Sequence, residues 1–177
     1  MLTERGKMES IVFACSRDRF TNIITISILI IIFAVNVSVY VAISRNISSL
    51  VAYLIIFATT LPILGVLFYV PLKYTLTTET LIINRLGPDK IVALNEIINV
   101  SSLDNDMIRG SLKLFANGGL GGYVGLYSNK KLGKYKAHLT RRNNLVLIEL
   151  ENEKYVISPD EPERFVDAFN KLQKKTP

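Results

Sequence analysis

Between Phe20 and Ser44 the chain carries no Asp, Glu, Lys or Arg, and after Arg45 none returns until Lys73. A helix needs about 20 apolar residues to cross a hydrocarbon core, so each run is long enough to span. Only Arg45-Asn46-Ile47-Ser48-Ser49 separates the two. That spacing predicts a two-helix transmembrane hairpin over residues 21–72, with antiparallel helices that enter and leave on the same side. Past Lys73 the pattern shortens to strands. Tyr74–Thr77 and Leu81–Asn84 flank Thr78-Glu79-Thr80, Gly87-Pro88-Asp89 is a second turn, and Lys90–Leu94 and Ile97–Ser102 follow. Asp104-Asn105-Asp106 marks another turn before Ser111–Phe115. In Tyr135–Leu139 a period of two puts Tyr135, Ala137 and Leu139 on one face. Leu145–Leu150 and Lys154–Ile157 read as a final hairpin around Glu151-Asn152-Glu153.

The last element is an amphipathic helix. Phe165, Val166, Phe169 and Leu172 fall at helical spacing, and Lys171, Lys174 and Lys175 crowd its end, where they complement the helix dipole. Two starts are legal: a capping box at Ser158 with Pro159 in the first turn, or one at Asp160 with Glu163. The predicted fold is α+β. Residues 1–20 form a polar arm without strong periodicity, 21–72 the hairpin, and 73–177 a small β-barrel or sandwich of about seven strands capped by the C-terminal helix.

Charge orients this plan. Arg17 and Arg19 precede the first span and Lys73, Arg85 and Lys90 follow the second, while the connection holds only Arg45. Positive charge marks the cytoplasmic side, so both termini are predicted there, the span lying in a bacterial cytoplasmic membrane. Ala42-Ile43-Ser44 resembles a signal-peptidase site, but a signal core runs about 7–15 residues and this one is far longer, so an uncleaved anchor is predicted. Neither span contains a charge for an ion path. Asn36 is the residue placed to hydrogen-bond between helices, and Pro62 predicts a kink. Residues 73–177 hold sixteen Lys and Arg against twelve Asp and Glu, a mildly basic balance. Cys15, the only cysteine, excludes an intramolecular disulfide.

Candidate chemistry is sparse. The run Asn117-Gly118-Gly119-Leu120-Gly121-Gly122-Tyr123 suggests a phosphate cradle, yet the dinucleotide spacing from Gly119 and Gly121 lands on Val124. Bulges or a tight strand corner are the expected use of these glycines. Lys130, Lys131, Lys134, Lys136, Arg141 and Arg142 make the densest basic cluster, with no acid between Asp106 and Glu149. As a solvated face the cluster is ordinary; beside anionic headgroups each base would contribute about 1 kcal/mol, within a Debye length of ~8 Å. His138, the only histidine, is expected on the exposed or half-exposed side of its strand. It has no neighbours at metal-ligand spacing, Asp104-Asn105-Asp106 fails the calcium-loop pattern at Ile108 and Arg109, and no Ser/His/Asp or Cys/His set can be drawn. The residues predict no enzyme, cofactor, metal, nucleic-acid partner or small-molecule substrate.

The stretch from Ala116 to Ile157 resembles the bacterial pleckstrin-homology-like (PH-like) domain family. The resemblance rests on Asn117-Gly118-Gly119-Leu120-Gly121-Gly122-Tyr123, on Gly133-Lys134-Tyr135, and on the entry to the last helix, Ile157-Ser158-Pro159-Asp160 through Phe165. It covers most of residues 74–173 and implies two antiparallel sheets capped by the C-terminal helix. Phosphoinositide-binding relatives place bases around the first strand pair, where this chain has Thr77-Thr78-Glu79-Thr80 and none. The expected function is a membrane-anchored, non-catalytic interaction module with lipid around residues 21–72 and a protein partner. The alternative is an anionic-lipid sensor that uses the cluster at 130–142.

Overall fold

A computed structural model describes residues 10–43 and 49–174. The connection around Arg45 and the charges at Glu4, Arg5, Lys7, Glu9 and Lys175 lie outside the described residues. The two uncharged runs are helices, α1 (Arg19–Ile43) and α2 (Ser49–Phe68), both long and apolar enough to cross a membrane. Almost nothing on them is covered: Ile23, Ile30, Phe33, Tyr40, Leu54 and Phe57 all point outward. Asn36 joins the helices as its spacing predicts, donating to Thr60 Oγ1 at 3.2 Å and accepting from Thr59 Oγ1 at 3.1 Å.

Ten strands form two sheets among the described residues. The first has the order β1-β2-β3-β4, from Ile11–Ala14, Pro71–Leu76, Thr80–Arg85 and Lys90–Ala93. The second has the order β5-β9-β10-β8-β7-β6, from Ile97–Leu103 (β5), Leu112–Gly118 (β6), Tyr123–Asn129 (β7), Gly133–Leu139 (β8), Leu145–Leu150 (β9) and Lys154–Ile157 (β10). The sheets stack without closing, a sandwich and not a barrel. Alternation sets their facing: Tyr74, Leu76, Leu81 and Ile83 point inward from the first sheet to meet Val146, Ile148 and Ile157 from the second. Helix α3 (Pro162–Gln173) closes this core with Phe165, Ala168, Phe169 and Leu172. A second core lies on the other face of the six-stranded sheet, where Tyr123, Tyr127, Tyr135, Ala137 and Leu139 are covered by Leu103, Met107 and Ile108.

Three expectations are corrected. The strands number more than seven, because the Gly-rich run continues into a full strand, β7, and because the N-terminal arm supplies β1. The arm's Ile-Val-Phe-Ala segment is only four residues long, and its partner is β2, some sixty residues later, with Phe13 opposite Tyr74. Phe13 is buried edge-on against Phe165 at 5.0 Å. Helix α3 begins at Pro162, after Glu161. Neither proposed cap forms: the Ser158 hydroxyl accepts from the Thr140 amide at 2.9 Å, and Asp160 binds Ser16 through the backbone amide at 2.8 Å and the hydroxyl at 2.6 Å.

The helical hairpin is therefore inserted between two hydrogen-bonded neighbours, β1 and β2. Its entry is pinned. Asp160 N donates to Ala14 O, Thr140 Oγ1 donates to Ser16 O, and Asp18 caps α1 by accepting from Thr21 N at 2.7 Å. Arg141, only 12% exposed along its side chain, pairs with Asp160 at 2.9 Å and donates to Pro159 O. Burial raises the Asp160 carboxyl's pKa, but the Ser16 donors and Arg141 outweigh it, and the net shift is downward. Removing the carboxylate strands a largely buried guanidinium. Asp160→Ala should lower the stability of the detergent-solubilised chain by about 3 kcal/mol, and Asp160→Ala with Arg141→Met by clearly less. The contribution of the pair is fully present above the unfolded carboxyl pKa of about 3.9 and is lost as pH falls through the lower folded value. Thermal unfolding of the two variants checks both points.

Candidate functional site

The Gly-rich run has a mechanical role. Asn117 ties the β6–β7 turn together, donating to Leu120 O at 2.6 Å and Gly122 O at 3.1 Å. The turn then seats on the ends of both long helices. Thr25 Oγ1, buried on α1, accepts from Gly121 N at 2.8 Å and also lies 3.3 Å from Gly119 O. Gly121 takes φ +72°, and a Cβ there would lie 2.9 Å from Val70 and 3.0 Å from Leu67. The second glycine turn does the same on the other side, where Gly87 N donates to Phe68 O at 2.9 Å and an added Cβ would meet the Phe68 ring at 2.7 Å. The run itself makes the tight corner between β6 and β7, and the bulge lies upstream of it, a register shift in β6 between Lys113 and Phe115.

The basic cluster does not converge. Lys130 and Lys131 sit on the β7–β8 turn and Lys134 at the start of β8, whereas Arg141 and Arg142 follow the opposite end of β8. Seven residues of strand at ~3.3 Å each put about 20 Å between the groups. Lys131 Nζ donates to Asp106 O, Lys136 pairs with Glu153, and Arg142 lies over the Tyr123 ring at 4.5 Å. Lys130 and Lys134 are exposed.

Another set of cations does converge, and its spacing in the chain hides it. Arg85 from β3, Lys113 from β6 and Lys136 from β8 line one cleft of about 1060 Å³. One wall is the last part of α2, from Pro62 to Val66, with Tyr69 just past its end; the other is the edge strand β6 with Leu114 and Phe115. Leu112, Leu114 and Phe115 are exposed, Phe115 to 87%. At the cleft floor is His138, expected on an exposed face but only 8% accessible. Strand alternation assigns it correctly to the face opposite Ala137; what alternation misses is that the first sheet and α2 cover that face too. Its ring stacks on Tyr155 at 6.0 Å, and its Nδ1 has no hydrogen-bond partner. Burial, then Arg85, Lys90 and Lys136, lower its pKa to about 3. Arg85 lies 5.4 Å over the Tyr69 ring, and its Nε is likewise buried and unpaired.

No group of His, Cys, Asp and Glu among the described residues is arranged to hold a metal ion. Burial, helped by Asp160, pushes the Cys15 thiol up to about 11, so it stays protonated at neutral pH and donates weakly to Pro71 O. The bacterial PH domain family matches residues 72–173. No curated protein and no solved structure shows significant similarity to the chain.

Proposed function

The chain belongs to the bacterial PH domain family, and from that premise we propose that it is a membrane-anchored, non-catalytic interaction module. PH domains generally bind lipids or proteins; here the proposed partner is a protein reached at the face of a bacterial cytoplasmic membrane. Helices α1 and α2 cross the bilayer as the anchor, and both termini lie in the cytoplasm. The observation that carries the reading is the seating of the two glycine turns on the helix ends. A domain tethered by a loose linker samples all orientations; one clamped through Gly87 and Gly121 presents one fixed surface. Recognition then uses loops and strand edges that this clamp holds away from the bilayer, without a catalytic group.

A photoreactive amino acid placed in turn at Lys130 and at Ile98 of the full-length chain, followed by irradiation of native membranes, tests this reading. A reproducible adduct with one protein supports it. Adducts only with lipid at both positions would replace it with the second reading, in which Lys130, Lys131, Lys134, Lys136, Arg141 and Arg142 contact anionic headgroups. That alternative draws on the exposure of Lys130 and Lys134, and requires a binding loss on Lys-to-Glu reversal.

A further inference from the structure

Arg85 and His138 both line the cleft between α2 and β6, and each keeps a buried nitrogen without a partner, Nε and Nδ1. Unpaired buried polar atoms are rare because each costs its full desolvation, and the guanidinium Nε–H of Arg85, always a donor, calls for an acceptor. The same cleft gathers the charges of Arg85, Lys113 and Lys136, of which Lys136 is paired with Glu153. Gly118 is part of the arrangement: its missing side chain leaves the space that the Lys113 ammonium occupies. The excess is positive, so the complementary ligand is an anion.

The walls identify the rest of that ligand. Pro62, Gly65 and Val66 lie on the final two turns of a helix long and apolar enough to span a bilayer, and Leu114 and Phe115 face them from an exposed strand edge. A free phosphate or a nucleotide would use the cations and leave this apolar surface wet. A molecule with a phosphate at one end and a hydrocarbon chain at the other covers both. Its source is continuous with the site, since the surface of α2 that lines the cleft also runs down into the hydrocarbon.

We infer that the α2–β6 cleft binds one anionic phospholipid drawn sideways from the bilayer, its phosphate against Arg85, Lys113 and His138 and a chain along Phe115 and Val66. The inference rests on the proposal that α1 and α2 span a membrane. It places lipid recognition away from the turn after β2 and away from the cluster at 130–142. In this arrangement the lipid fills the gap between anchor and domain and becomes a third contact beside the two glycine turns.

The test uses the full-length chain in nanodiscs that contain either phosphatidylglycerol or phosphatidylcholine with a photoreactive headgroup. Phosphatidylglycerol should label the peptides carrying Arg85 and Lys113 on the order of tenfold more strongly, and Arg85→Gln with Lys113→Gln should abolish the preference. Lys113→Glu alone should reduce it, which keeps the test valid if the double variant folds poorly. Equal labelling by both lipids overturns the inference, as does a preference that survives the substitutions. Suppression by soluble glycerol phosphate would overturn it in favour of a free anion. A lipid photoreactive at its chain end reports separately on the anchor: failure to label α1 and α2 would sink the spanning proposal itself.

Discussion

Alanine at Gly121 is expected to destabilise the protein by about 2–5 kcal/mol, with the loss concentrated where the domain meets the helices. Two effects combine. A residue with a Cβ at φ +72° costs about 1–2 kcal/mol through its clash with the following carbonyl. The new methyl group also presses on Val70 at 2.9 Å and Leu67 at 3.0 Å, and overpacking of this kind costs about 1–3 kcal/mol. The chain contains its own controls. Gly110 and Gly133 share the same φ of +72° but have no atom within 4 Å of an added Cβ. Alanine at Gly133 should therefore show the conformational cost alone. Thermal unfolding of the three variants in detergent isolates the contact term, and hydrogen exchange should speed up in the β6–β7 turn and at the end of α2 for the Gly121 variant only. If Gly121→Ala is no worse than Gly133→Ala, the turn is not held against the helices.

Mild acid should weaken the protein through His138. In the folded state burial and the charges of Arg85, Lys90 and Lys136 hold its pKa at about 3, whereas an unfolded histidine titrates near 6.5. Between these values the unfolded chain binds a proton that the folded chain refuses. Stability then rises with pH through this window, and falls by up to about 1.4 kcal/mol per pH unit as pH drops below roughly 6. Replacing the ring by leucine, of similar bulk, removes the titrating group and leaves the backbone bond from Tyr74 OH to His138 O in place. His138→Leu should flatten the stability profile between pH 6 and pH 4. The Asp160 contribution falls away only below that window, so the two are separable. An unchanged slope in the variant would mean that His138 is protonated in the fold.

Much of the site could not be read along the chain, for reasons particular to each residue. The run Asn117–Tyr123 announces tight backbone, and a turn with Gly119 and Gly121 at positive φ is what it forms. Nothing in it names Leu67, Val70 and Thr25 as the surfaces that require those glycines, since these lie some fifty to a hundred residues earlier. The cluster at 130–142 looks like one patch because sequence distance is short, yet β8 runs between its halves and carries them apart. Arg85, Lys113 and Lys136 show the converse, joined across three strands with no local signature. The capping boxes at Ser158 and Asp160 were chemically sound, but both side chains found partners in distant segments, Thr140 and Ser16, which compete for the same oxygens.

What the sequence determined alone is whatever depends on the period and length of its apolar positions. Two uncharged runs make two long helices, alternation at Tyr74–Leu76 and the short apolar run Leu145–Ile148 make strands, and the stripe through Phe165 and Phe169 makes a helix that closes a core. Each of these requires only that one face leave water, a condition that neighbouring residues encode among themselves. Which surface covers that face is a different question. The pairing of β1 with β2 around the hairpin, the burial of His138, the division of the basic cluster and the cleft between α2 and β6 were all decided by tertiary structure. They depend on contacts between segments far apart in the chain, and no local periodicity records those.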